Sequence, residues 1–113
     1  MERGIGAAIA SAFKTEGARV IVTDKDESAG AAFAESIGAD FYRLDVSEEE
    51  EWTALEGKID ALDILVNNAG ITGFEEGVVA HDPEHASLED WHNVHQVNLD
   101  GTFMGCRFGI RKM

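Results

Sequence analysis

The chain reads as an α/β domain, a parallel sheet covered by helices, and three observations predict it. Helical and strand-like patterns alternate from one end to the other. The strand-like runs are apolar almost throughout, as strands buried on both faces are. No repeat, linker or low-complexity stretch interrupts the alternation. The size agrees: 113 residues, 44% of them hydrophobic, suit one small folded domain.

Each element has its own reason. Gly4–Lys14 is expected to be helical because Ile5, Ile9, Ala12 and Phe13 recur at three- and four-residue steps among alanines, with Gly17 closing it. Ala18–Asp24 is a β-branched run and predicts a buried strand. Glu27–Ser36 is an alanine-rich helix with Phe33 and Ile37 on one face, ended by Gly38. Ala39–Val46 predicts a second strand around Phe41, Tyr42 and Leu44. Ser47 and Glu50 have the spacing of a capping box that opens a third helix. The run Glu48–Glu51 then sits in its first turn, where the helix dipole favours carboxylates. Leu62–Val66 predicts a third strand, and residues 71–86 a long loop holding the only proline, Pro83. Ser87 and Asp90 make a second capping box, from which a long helix runs toward Met113.

Charge narrows the function. The 22 acidic and 9 basic residues leave a formal charge of −13, against nucleic acid or an anionic membrane as partner. An anionic cofactor held by backbone N–H groups stays open. No apolar run reaches the ~18 residues of a spanning helix, and no apolar signal core follows Met1, so a cytoplasmic protein is expected. The single cysteine, Cys106, excludes an intramolecular disulfide and is read as packed and inert.

Five short segments carry a resemblance. Gly4-Ile5-Gly6 opens a helix, and Asp24 ends the following strand. Asp45-Val46 ends the next, Asn67-Asn68-Ala69-Gly70 follows the third, and Val97-Asn98-Leu99-Asp100-Gly101 lies in the last helix. In that order they resemble the short-chain dehydrogenases/reductases, over essentially the whole chain, with Asn-Asn-Ala-Gly the most specific piece. The resemblance implies a Rossmann-like doubly wound parallel sheet, and one partial dinucleotide-binding domain over 1–113. The first strand and the C-terminal half of that fold are not found in the chain. It implies NAD as cofactor, a small-molecule alcohol or ketone as substrate, and a homo-oligomeric full-length form.

Residue roles follow from the resemblance, each beside a plainer reading. Gly4, Ile5 and Gly6 stand where the family's glycine turn brings backbone to a pyrophosphate at a helix N-terminus. Asp24 stands where a carboxylate accepts the adenosine ribose hydroxyls and repels the extra phosphate of NADP, or else caps a helix. Arg3 precedes Gly4 as in NADP-preferring relatives; Asp24 decides the reading for NAD. Asp45 and Val46 match the adenine pocket, or Asp45 is a helix-start acid. Asn67, Asn68, Ala69 and Gly70 border the cofactor and support the sheet. Asn98 matches the Asn that disturbs its helix and holds a water of the proton relay; otherwise it is a core amide. It shares a helix face with Trp91, His95 and Thr102, expected to pack on the sheet.

Two readings concern what the motifs leave over. Pro83 between His81 and His85 argues against a helical metal pair, and His92 and His95 share a helix but lack a third ligand spaced for zinc, so no metal is expected and the 71–86 loop is read as part of a substrate pocket wall. The family's Tyr-x-x-x-Lys and Ser are not found: the only tyrosine, Tyr42, is followed four residues on by Val46. The expectation is a fragment, inactive and unstable alone, with a gap one strand wide between strands 18–24 and 62–66. A non-catalytic nucleotide-binding remnant and an acidic α/β interaction domain are the alternatives.

Overall fold

Two parallel strands lie between two layers of helix in the computed structural model, which describes residues 4–71 and 84–113. In chain order the elements are α1 (Gly4–Thr15), β1 (Ile21–Asp24), α2 (Glu27–Ile37), β2 (Asp40–Arg43) and α3 (Glu49–Glu56). Then come α4 (Leu88–His95), a π-helical turn (Gln96–Asp100) and α5 (Gly101–Lys112). Arg3, His81 and most of the 71–86 loop lie outside the described residues.

The sheet sorts its side chains by parity. β1 and β2 pair with Ile21 opposite Asp40 and Val22 opposite Phe41. Successive side chains point to opposite faces. Val20, Val22, Ala39 and Phe41 join Ala10 of α1 and Ala34 of α2 in one core. Ile21, Tyr42 and Leu44 join Trp52 and Leu55 of α3 and Met104 and Phe108 of α5 in another. Helices therefore cover both faces, as a doubly wound sheet requires.

Helix α1 packs through Gly6 and Ala10, while Ile5 is 75% exposed. The expected face of Ile5, Ile9, Ala12 and Phe13 is thus rotated: Gly6 and Ala10 are the buried positions, and Ile9 and Phe13 line a cleft. Helix α2 starts on Asp26, whose carboxylate accepts the Ala29 N–H at 3.1 Å. It ends on Gly38 in the left-handed region, φ 73°, as expected.

Three expectations need correction. The capping box at Ser47 does not form: Glu48 is the N-cap and makes no side-chain cap bond. Instead the Ser47 N–H and hydroxyl both donate to Asp45 Oδ1, at 3.0 and 2.6 Å. A carboxylate two residues upstream outcompetes the helix for that serine. Ser87 behaves as expected, its hydroxyl accepting the Asp90 N–H at 3.0 Å.

The second correction is Leu62–Val66, which joins no ladder among the described residues and bends at Asp63. A ladder needs a neighbour at ~4.8 Å, and a cleft separates this segment from β1. Leu62 and Leu65 reach the α3–α5 core, whereas Ile64 is 60% and Val66 41% exposed. The third concerns α4, which has no buried residue: Trp91 is 60% exposed and Asn98 and Thr102 are exposed too. The packed stripe belongs instead to α5, through Gly101, Met104, Gly105, Phe108 and Gly109.

Candidate functional site

A cleft of about 640 Å³ opens between α1 and β1 on one side and residues 61–69 on the other. Gly6, Ile9 and Phe13 line it from α1, Ile21, Val22 and Thr23 from β1, and Gly101 and Thr102 from α5. Of the residues expected at a cofactor, Gly6, Val46, Asn67, Asn68 and Ala69 belong to this lining. Gly4, Ile5, Asp24, Asp45, Gly70 and Asn98 do not.

Gly4 opens α1 at φ 67°, a backbone conformation that L side chains rarely adopt, and a Cβ there would meet nothing within 4 Å. Asp24 ends β1, and its Oδ1 accepts the Asp26 N–H at 3.0 Å. Asp45 is engaged on one oxygen by Ser47, and its own N–H donates to Glu51 Oε1 at 3.0 Å. The carbonyl of Val46 accepts the Trp52 Nε1–H at 2.9 Å.

Asn67 and Asn98 both tie loop to helix. Asn67 Nδ2 donates to Cys106 Sγ at 3.5 Å. Cys106 is exposed rather than packed, since its side of α5 turns away from both cores. Asn98 sits at the centre of the π-helical turn, where the resemblance implies a disturbed helix. Its Oδ1 accepts the Ile71 N–H and its Nδ2 donates to the Ile71 carbonyl, both at 2.8 Å. Asn98 is thus an exposed strut, not a core amide. The Thr102 hydroxyl donates to the Asn98 carbonyl at 2.9 Å.

Sequence reasoning passed over several residues here. Gly101 and Gly105 let α5 come within side-chain distance of Val46 and Asn67. Their signal was present, a glycine at every fourth position of one helix: 101, 105 and 109.

Comparison with known proteins decides the family. A family model described as "Enoyl-(Acyl carrier protein) reductase" matches residues 1–113. An "NADP-dependent (R)-specific alcohol dehydrogenase" of Lentilactobacillus kefiri is 39% identical over 97% of the chain.

The chain belongs to the short-chain dehydrogenase/reductase family.

A "3-beta-hydroxysteroid dehydrogenase" of Comamonas testosteroni, another relative, is 35% identical over 97% of the chain. Among solved structures, a serine dehydrogenase from Escherichia coli superposes over 98% of the chain with a TM-score of 0.82 and 26% identity. The fold is accordingly a partial Rossmann-like one. This short-chain dehydrogenase/reductase chain spans 44% and 43% of the lengths of those two relatives, and 52% of the solved structure. Among the described residues no helix is long and apolar enough to cross a membrane, and no group of three or more His, Cys, Asp or Glu could hold a metal.

Proposed function

We propose that the full-length protein moves a hydride between a nicotinamide dinucleotide and a secondary alcohol or ketone, and that it prefers NAD(H). The observation that carries the reading is that the strand following α1 ends on Asp24 and that α1 itself opens on Gly4, in the left-handed region. An anion fits there: the first N–H groups of a helix lack intrahelical partners, and the dipole favours negative charge. Gly4, Ile5 and Gly6 would hold the pyrophosphate; Asp24 would accept the ribose hydroxyls. Asp45 and Val46 would border the adenine, and Asn67–Gly70 the remainder. When bound, the cofactor supplies or accepts the hydride.

Asp24 carries the preference. Like charges ~4 Å apart cost roughly 1–4 kcal/mol between the dielectrics of water and a protein surface. A carboxylate against the extra phosphate of NADP therefore disfavours it. The test is the pair of affinities for NADH and NADPH, read by nucleotide fluorescence. NADH should bind tighter by about fivefold or more, the equivalent of roughly 1 kcal/mol, and Asp24→Ala should narrow the difference. Tighter NADPH in the unmutated protein overturns the preference; binding of neither overturns the dinucleotide reading.

Asn98 would position a water for proton transfer in the full-length protein. The 113 residues contain no Tyr-x-x-x-Lys, the proton donor that the family's reaction uses. We therefore expect this chain, expressed by itself, to give no NAD-linked turnover of any alcohol. Self-association of the full-length protein is part of the same reading. Leu88, Trp91, Leu99, Phe103 and Ile110, all exposed on α4, the π-helical turn and α5, support it.

A further inference from the structure

We propose that Gly105 is a positioning residue: it seats the Asn67 carboxamide on α5 and so fixes the 67–71 segment that borders the cleft. The role in ligand binding rests on the dinucleotide reading; the seating itself does not. The segment after residues 62–66 lies against α5 and the π-helical turn. Asn67 rests at Gly105 and Cys106, and Ile71 is bonded on both backbone groups by Asn98.

The spacing suits a two-point hold. Asn98 and Gly105, seven residues apart along the π-helical turn and α5, meet the two ends of the segment, Ile71 and Asn67.

Gly105 is the shape-determining half of the hold. A Cβ there would overlap Asn67 Oδ1 outright, and would stand 3.4 Å from the Trp52 ring. Any side chain must push the carboxamide away. The Cys106 thiol is a weak acceptor at 3.5 Å, so the hydrogen bond alone does not explain the placement. Gly109, one turn further on, provides the contrast. A Cβ there would meet only the Leu65 side chain, at 3.6–3.8 Å, which is ordinary contact. Both substitutions to alanine add the same helix propensity, so they differ in what they touch.

The experiment uses the full-length protein and its variants Gly105→Ala, Gly109→Ala, Asn67→Ala and the double variant Asn67→Ala/Gly105→Ala. Hydrogen exchange is followed by mass spectrometry in a peptide spanning 67–71, and NADH affinity by fluorescence. Gly105→Ala should speed exchange of that peptide about tenfold or more and weaken NADH about tenfold, while Gly109→Ala changes neither. Asn67→Ala should speed exchange by itself, and adding Gly105→Ala to it should change nothing further, since no carboxamide is left to displace. Unchanged exchange in Gly105→Ala, or an equal response in Gly109→Ala, overturns the proposal. So does a full Gly105→Ala effect in the Asn67→Ala background. If Gly105→Ala does not fold, unchanged exchange in Asn67→Ala overturns it alone, and faster exchange supports it. Absence of NADH and NADPH binding in the unmutated protein would sink the dinucleotide reading and leave the exchange arm to decide the seating.

Discussion

Asn98 spends one carboxamide on both backbone groups of a single residue, Ile71. Exposed hydrogen bonds of this kind stabilise by about 0.5–1.5 kcal/mol each. Asn98→Leu should therefore cost roughly 1–3 kcal/mol in a denaturant titration of the full-length protein, losing both. If Asn98 also positions a relay water, the same variant lowers turnover by about 10²-fold or more while NADH still binds. Near-normal turnover would leave Asn98 a strut only. Part of this residue-scale picture was legible: the placement of Gly4 at the opening of α1, Asp24 at the end of a strand and Asn98 in a disturbed helix follows from their order along the chain. Their partners were not. Ser47 looks like a helix cap until Asp45 takes its hydroxyl, and Asn98 looks buried until the π-helical turn re-aims its face. Such competitions depend on geometry between neighbours, which residue type and spacing do not contain.

Among the elements, α5 is the hub of the larger core. Phe108 is 2% exposed and its ring lies 5.4 Å from that of Trp52, centroid to centroid. Phe108→Ala should cost about 3–5 kcal/mol of unfolding free energy, from lost transfer and the cavity left behind. Two ion pairs join the same helices, Arg107 to Glu49 at 2.6 Å and Arg111 to Glu56 at 2.9 Å. Their side chains are a third to two thirds exposed, and water and salt screen them. Arg111→Ala should cost no more than about 1 kcal/mol, and less in high salt. A thermal melt of the two variants side by side checks both expectations. Helices were the legible elements, since a 3.6-residue apolar rhythm and a terminal glycine or cap residue are local signals. The 62–66 run was not, because strand character is conferred by neighbours across the ladder as much as by β-branched side chains.

For the molecule as a whole, the exposed apolar residues on α4, the π-helical turn and α5 predict self-association of the full-length protein. Leu99 and Phe103, one turn apart, are 61% and 62% exposed. Leu99→Lys together with Phe103→Glu should convert an oligomer to monomer in analytical ultracentrifugation, with little loss of helix by circular dichroism. A monomeric parent protein would refute this. The doubly wound arrangement itself was foreseeable from alternating patterns, whereas the cleft was foreseeable only as a gap and not as a lined surface.

The parity of β1 and β2 has one more consequence. The α1–α2 core and the α3–α5 core draw on different side chains of the same short ladder. Substitutions on the two sides share no contact partner, so their free-energy effects should add within about 0.3–0.5 kcal/mol. Ala34→Gly combined with Phe108→Ala would measure it. A chain built this way can accumulate change on one side without retuning the other.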